Sequence, residues 1–342
     1  MEFLHNDKET FSQAINLVTN QNGLSSEIVE KDYYVTMILR LLSERLPFIV
    51  FKGGTSLSKC HKTINRFSED IDITIDTTIS QSQKKKVKEA IEEACSILGL
   101  SITNIEDTRS RRDYNQYQIA YKPVQDIIDA DVPPTVILET SYTAVSFPVS
   151  ELPVHNYIGD MMVQEAPDYI ERYSLSPFKM KVQDISRTLA DKVFALCDYY
   201  LEKKTEKHSR HLYDIYKLLP LVPQDDSFKK LVNEVREARA HSPICPSAKP
   251  DVDVVELLKN IISAKVYKSD YENLTEKILE EILEYDTAIL ALKQISENGM
   301  FEKWLLIIVN FWVRIVFFMR VEYENLYSTS EFSYIIVEYN LF

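Results

Sequence analysis

The stretch Asp70-Ile-Asp-Ile-Thr-Ile-Asp76 alternates polar and apolar residues without a break, and no other segment constrains the fold as tightly. A period of two makes it a strand, with Ile71, Ile73 and Ile75 on one face and Asp70, Asp72, Thr74 and Asp76 on the other. The isoleucine face calls for a core. The aspartate face sets like charges side by side, which is costly unless a cation lies between them. Carboxylate oxygens suit a hard divalent ion, Mg2+ or Mn2+. Alone, an Asp-x-Asp on a strand is commonplace and reads as a solvated surface.

A second feature precedes it. The chain has only six glycines, and two are adjacent, Gly53 and Gly54. They follow the apolar run 47–51, expected as a buried strand, and lead into a short helix expected over 55–62. A strand, a glycine pair and a helix start can cradle phosphate on backbone N–H groups, so Gly53, Gly54, Thr55 and Ser56 are candidate nucleotide-binding residues. The GxxxxGK[ST] pattern is absent, so this is not a P-loop. Together the two features would supply a triphosphate site and its metal. Glu139, in the apolar strand expected over 134–143, is a candidate third metal ligand, since a carboxylate in such company needs a partner.

The remaining pattern predicts helices over 8–20, 25–44 and 80–98, and a strand over 113–122. From residue 155 onward it becomes helical: 187–202, 209–220, 225–240, 252–265 and 271–297, with a proline-rich loop at 242–250. The expected class is α+β. Residues 1–155 form a mixed sheet with helices, 156–300 a helical domain, and 301–342 an atypical apolar tail too interrupted to span a membrane.

A net charge of −13 argues against whole-surface attraction to nucleic acid, leaving local basic runs at Lys84–Lys88 and Lys203–Arg210, both readable as solvated helix faces. Four scattered cysteines without a CxxC pair, and no charged-then-apolar opening segment, predict a cytoplasmic protein with no membrane association. His208 and His211, three apart on an expected helix, lack the companions of a zinc set and read as a solvated helix end.

Lys52-Gly-Gly-Thr-Ser-Leu-Ser-Lys59 followed by Arg66-Phe-Ser-Glu-Asp-Ile-Asp72 resembles the AbiEii/AbiGii family of toxin nucleotidyltransferases. Glu30-Lys-Asp-Tyr-Tyr34, Leu189-Ala-Asp-Lys192 and Arg210-His-Leu-Tyr-Asp-Ile-Tyr216 extend the resemblance over roughly residues 25–220. It implies a nucleotidyltransferase fold of the DNA polymerase β type followed by a helical domain. It implies active-site roles for Ser56, Asp70 and Asp72, and it places a family lysine and aspartate at Lys192 and Asp214. It further implies a type IV toxin–antitoxin or phage abortive-infection system with an antitoxin encoded nearby, and it makes the 3′ end of tRNA a candidate acceptor.

Lys192, beside the apolar stripe of Leu189, Val193 and Leu196, either meets a triphosphate or pairs with Asp214, which would otherwise contact metal, ribose or the acceptor hydroxyl as a base. Two rival functions stay open: a non-catalytic NTP-binding module acting through a partner, and a kinase-like phosphotransferase.

Overall fold

In the computed structural model, residues 2–126, 132–142 and 145–302 are described. The chain begins with α1 (Lys8–Asn22) and α2 (Ser26–Arg45), the latter started by Ser25, whose side chain accepts from the Ile28 N–H. Then come β1 (Ile49–Lys52), α3 (Gly53–Lys59), β2 (Ile71–Ile75), α4 (Gln81–Ile97), β3 (Ser101–Ile102), β4 (Tyr114–Ala120), β5 (Thr135–Ser141) and β6 (Val149–Val154). α5 (Tyr157–Glu165) and α6 (Asp168–Arg172) precede β7 (Phe178–Gln183). The helical run follows: α7 (Ile185–Leu201), α8 (Arg210–Leu218), α9 (Asp226–Ala240), α10 (Val254–Ser263), the short α11 (Lys268–Asp270) and α12 (Tyr285–Glu297).

Among the described residues the seven strands form one mixed sheet, ordered β3-β4-β5-β2-β1-β7-β6. β1 runs antiparallel to β2 and parallel to β7, and β2 runs parallel to β5. The α+β class expected from the pattern is what the chain adopts. Ile71, Ile73 and Ile75 are buried as their alternation requires, in a core that α1, α2 and α4 share with the sheet.

β7 lies past residue 155, where a purely helical region was expected, and it pairs inside the sheet between β1 and the edge strand β6. The signal was present: Phe178, Met180 and Val182 alternate with Lys179, Lys181 and Gln183. α5 also packs on α1 and α2, so the helical core begins at α7. That second core takes in Leu57 and Ile64 from the first half, and Met1–Phe301 forms one compact unit. The apolar tail expected over 301–342 lies outside the described residues, apart from Phe301, which packs in the second core, and Glu302.

The helix expected over 271–297 is broken. A π turn (Tyr271–Thr275) and a 3-10 turn (Glu276–Ile278) give way to an extended segment before α12. The reason is tertiary: the Phe67 N–H donates to the Ile278 carbonyl, and the Glu280 N–H donates to the Asn65 carbonyl. Residues 278–280 thus pair with the loop that carries Arg66 and hold it in place.

Candidate active site

Strand register builds the site. Lys52 stands opposite Asp72, Asp72 opposite Glu139, and Glu139 opposite Gln116, in one row across β1, β2, β5 and β4. Residues in register share a face, so the row sets a cation, two carboxylates and an amide side by side. Asp70, two residues before Asp72, extends the acidic cluster. Glu139 does not face plain water: its Oε1 accepts from Tyr114 Oη and from Gln116 Nε2, both at 2.9 Å. Burial, reinforced by the Asp72 charge, raises the Asp70 carboxyl to about 6, with Arg210 opposing. Burial also raises Asp72, with Lys52 pulling it down and Glu139 pushing it up.

Asp76, expected on the same face, pairs instead with Lys181 of β7 at 2.5 Å. Among the described residues no three acidic, His or Cys side chains already close on one metal position. By donor chemistry, Asp70, Asp72 and Glu139 fit a hard divalent ion. They are oxygen ligands; burial first and mutual repulsion second raise the Asp70 and Asp72 carboxyls, and such an ion would relieve both.

The two glycines serve different neighbours. Gly53 has φ +79°, and a Cβ there would lie 1.9 Å from Asp72 Oδ2, so the Asp72 carboxylate occupies the room the glycine leaves. A Cβ on Gly54 would lie 2.7 Å from both Arg66 Nη2 and Ser68 Oγ. Ser56 is fully buried, and its Oγ donates to the Gly53 carbonyl at 2.9 Å. Thr55, also buried, shares a hydrogen bond with Ser68 Oγ at 3.0 Å. Of the four expected phosphate contacts, only Gly53 borders the adjoining cleft. Thr55 and Ser56 brace the turn from behind because α3 starts at Gly53 itself, which rotates their side chains inward.

Lys192 and Asp214 do come together. Asp214 is wholly buried; Lys192 Nζ reaches its Oδ2 at 2.5 Å, and Arg66 donates Nε to Oδ1 and Nη2 to Oδ2, both at 2.7 Å. Although burial alone would raise the Asp214 carboxyl, the Arg66 guanidinium and the Lys192 ammonium together hold it well below the usual carboxylate range. Burial draws Lys192 down, against the pull of Asp214. Arg66 opens the Arg66–Asp72 segment of the family resemblance, yet the sequence reading gave it no role, as it gave none to Lys52 or Arg187.

A cleft of about 460 Å3 opens from Gly53, Asp72 and Lys192. Its lining is cross-braced by ion pairs. Arg187 Nε donates to Asp191 at 3.0 Å, and Arg239 reaches Asp191 at 3.3 Å and Asp198 at 2.7 Å. His208 and His211 do not form a solvated helix end. α8 starts at Arg210, both rings stack with Tyr199, and both Nδ1 atoms are buried.

Carboxylates and cations interleaved around a nucleotide-sized cleft, on a mixed sheet, suit a phosphate-handling enzyme site. The profile of the AbiEii nucleotidyltransferase toxins of type IV toxin–antitoxin systems matches residues 39–291. The chain belongs to that family and is a toxin nucleotidyltransferase. Among solved structures it is similar to MenT4, a nucleotidyltransferase toxin from Mycobacterium tuberculosis H37Rv, at 15% identity and a TM-score of 0.45, covering 83% of this chain and 88% of that one. No curated protein matches. Among the described residues no helix is long and apolar enough to cross a membrane.

Proposed function

We propose that this protein is a divalent-metal-dependent enzyme that transfers a nucleoside monophosphate from an NTP to an RNA acceptor, the 3′ end of tRNA being the foremost candidate, and so arrests growth in phage defence. One observation carries the reading. Lys52, Asp72 and Lys192 line one cleft of nucleotide size, and strand register sets Glu139 beside Asp72, so phosphate-binding cations and metal-binding carboxylates lie side by side. Asp70, Asp72 and Glu139 would hold Mg2+ or Mn2+, which supplies charge neutralisation at the transferring phosphoryl group. Lys192, with Lys52 and Arg187, meets the triphosphate, and Gly53 borders the same cleft.

The acceptor hydroxyl attacks the α-phosphorus, the bond to the β-phosphate bridging oxygen breaks, and pyrophosphate leaves. The hydroxyl proton passes to the carboxylate face, where burial and the Asp72 charge raise Asp70 to about 6. Asp214, held ionised by two cations, is unsuited to proton abstraction near neutral pH and acts by positioning Lys192. The protein works in the cytoplasm, and its antitoxin, encoded nearby, restrains it without any need for a stable complex.

Incubation with each α-labelled NTP, total cellular RNA and Mg2+ tests the proposal, and label entering RNA with release of pyrophosphate supports it. Label entering only from the γ-position identifies a kinase-like phosphotransferase. Binding of NTP without transfer identifies a non-catalytic module.

A further inference from the structure

One face of α7 forms the long wall of the cleft: Asp191, Lys192, Ala195, Asp198 and Tyr199 recur at helical spacing and all line it. The ends of that face differ in chemistry. At Lys192 the wall is charged and lies beside Asp72 and Gly53. Seven residues on, about 10 Å along the axis, it becomes aromatic. The Tyr199 ring lies 3.5 Å from the His208 ring at an interplanar angle of 7°, and 5.8 Å from the His211 ring at 20°. The His208 and His211 planes differ by 13°.

Tyr199, two turns along α7 from Lys192, and His211 both line the cavity, and the three rings are near-parallel. Ala195, one turn before Tyr199 on the same face, keeps the adjoining wall low. Within a cleft that otherwise displays Lys, Arg and Asp, this is a flat neutral surface: burial, with Lys192 and Arg210 nearby, holds His211 well below the ordinary histidine range. Among the described residues neither His208 Nδ1 nor His211 Nδ1 has a hydrogen-bond partner, although both are buried.

We infer that Tyr199, backed by His208 and flanked by His211, is the platform on which the nucleobase of the donor NTP stacks, with the triphosphate running back along α7 to Lys192. The inference rests on the nucleotidyltransferase reading and deepens it. Every base has a π face, so a bare stack is tolerant of base identity. Choice among bases then falls to the imidazole edge of His211, which lines the cleft beside Tyr199. A neutral imidazole carries one N–H donor and one acceptor, and can therefore tell a base edge that accepts from one that donates.

The test compares binding of ATP, GTP, CTP and UTP with binding of inorganic tripolyphosphate, which carries the phosphates without a base, by calorimetry on the full chain. Tyr199→Ala is expected to weaken the preferred NTP by about 10-fold or more while leaving tripolyphosphate unchanged, and Tyr199→Phe restores NTP affinity. Ala195→Phe fills the space beside the ring without removing any ring; it is expected to weaken NTP, spare tripolyphosphate, and stand in should Tyr199→Ala unfold. His211→Leu is expected to narrow the spread of affinities among the four NTPs.

The platform is overturned if Tyr199→Ala and Ala195→Phe, both folded by circular dichroism, keep wild-type NTP affinity, or if they lose NTP and tripolyphosphate equally. Wild-type protein that transfers nucleotide normally alongside an unaffected Tyr199→Ala sinks the platform alone. Wild-type protein that transfers no nucleotide sinks the enzymatic reading instead.

Discussion

Two charged clusters lie within one site, and they are built on opposite principles. Along the sheet, Asp70, Asp72 and Glu139 set like charges together, and Lys52 and Arg210 offset them only in part; burial and the Asp72 charge raise Asp70 to about 6. Behind the glycine turn, Arg66, Asp214 and Lys192 pair their charges at 2.5 to 2.7 Å with almost no exposure. The first arrangement costs stability and leaves charge available to something that is not protein. The second, once assembled, has its charges satisfied and holds two helices and a loop in register. Adjacent glycines guard the two clusters: Gly53 makes room for Asp72, and Gly54 makes room for Arg66.

The comparison breaks most visibly in activity. Asp72→Ala and Asp70→Ala should each take Mg2+-dependent transfer below detection while the thermal midpoint holds or rises, because a repulsive charge is gone. A variant with wild-type transfer and wild-type growth arrest would remove the carboxylates from the chemistry.

The paired cluster should respond in the opposite sense. Arg66→Met leaves Asp214 buried with one cation fewer and should destabilise by about 3–5 kcal/mol, read as a fall in the urea midpoint. Exchanging the pair, Lys192→Asp with Asp214→Lys, should restore neither stability nor transfer, since Asp214→Lys brings a second cation against Arg66. A stable swapped protein would show that Arg66 is dispensable to the cluster.

The glycines sharpen the division. Gly53→Ala strains a left-handed backbone and displaces Asp72, so it should abolish transfer and cost about 1–2 kcal/mol. Gly54→Val should disturb Arg66 and lower the melting temperature more than Gly53→Ala does. Equal melting temperatures for the two would show that the glycines do not serve separate clusters.

The smallest effect is on pH dependence. The folded-state carboxyl of Asp70 lies above its ordinary value, so its charged form costs stability above about pH 6, and the cost fades as pH falls toward the unfolded value near 4. In chelator, Asp70→Asn should therefore raise the melting temperature at about pH 8, with a gain that shrinks through pH 6 and is gone near pH 4. A gain that does not vary with pH would mean the carboxyl is not perturbed.

Local pattern alone determined a good deal. The alternation of residues 70–76 decided which residues face the core and which aspartates share a face, because side-chain direction in a strand follows from backbone geometry. The scarce glycine pair marked the tight turn, and the Lys192 and Asp214 segments read correctly as helical. Which residues meet across the fold was decided only by tertiary structure. The order of strands set Lys52 and Glu139 beside Asp72, and β7, whose alternation was legible, has its place in the sheet only through pairing with β1. Arg66 met Asp214 across 148 positions, and the same loop drew residues 278–280 out of a helix their own pattern favoured. Ser56 turned inward because the helix began two residues earlier than its pattern implied. Periodicity specifies the face a residue takes, whereas its partner depends on register and packing summed over the whole chain.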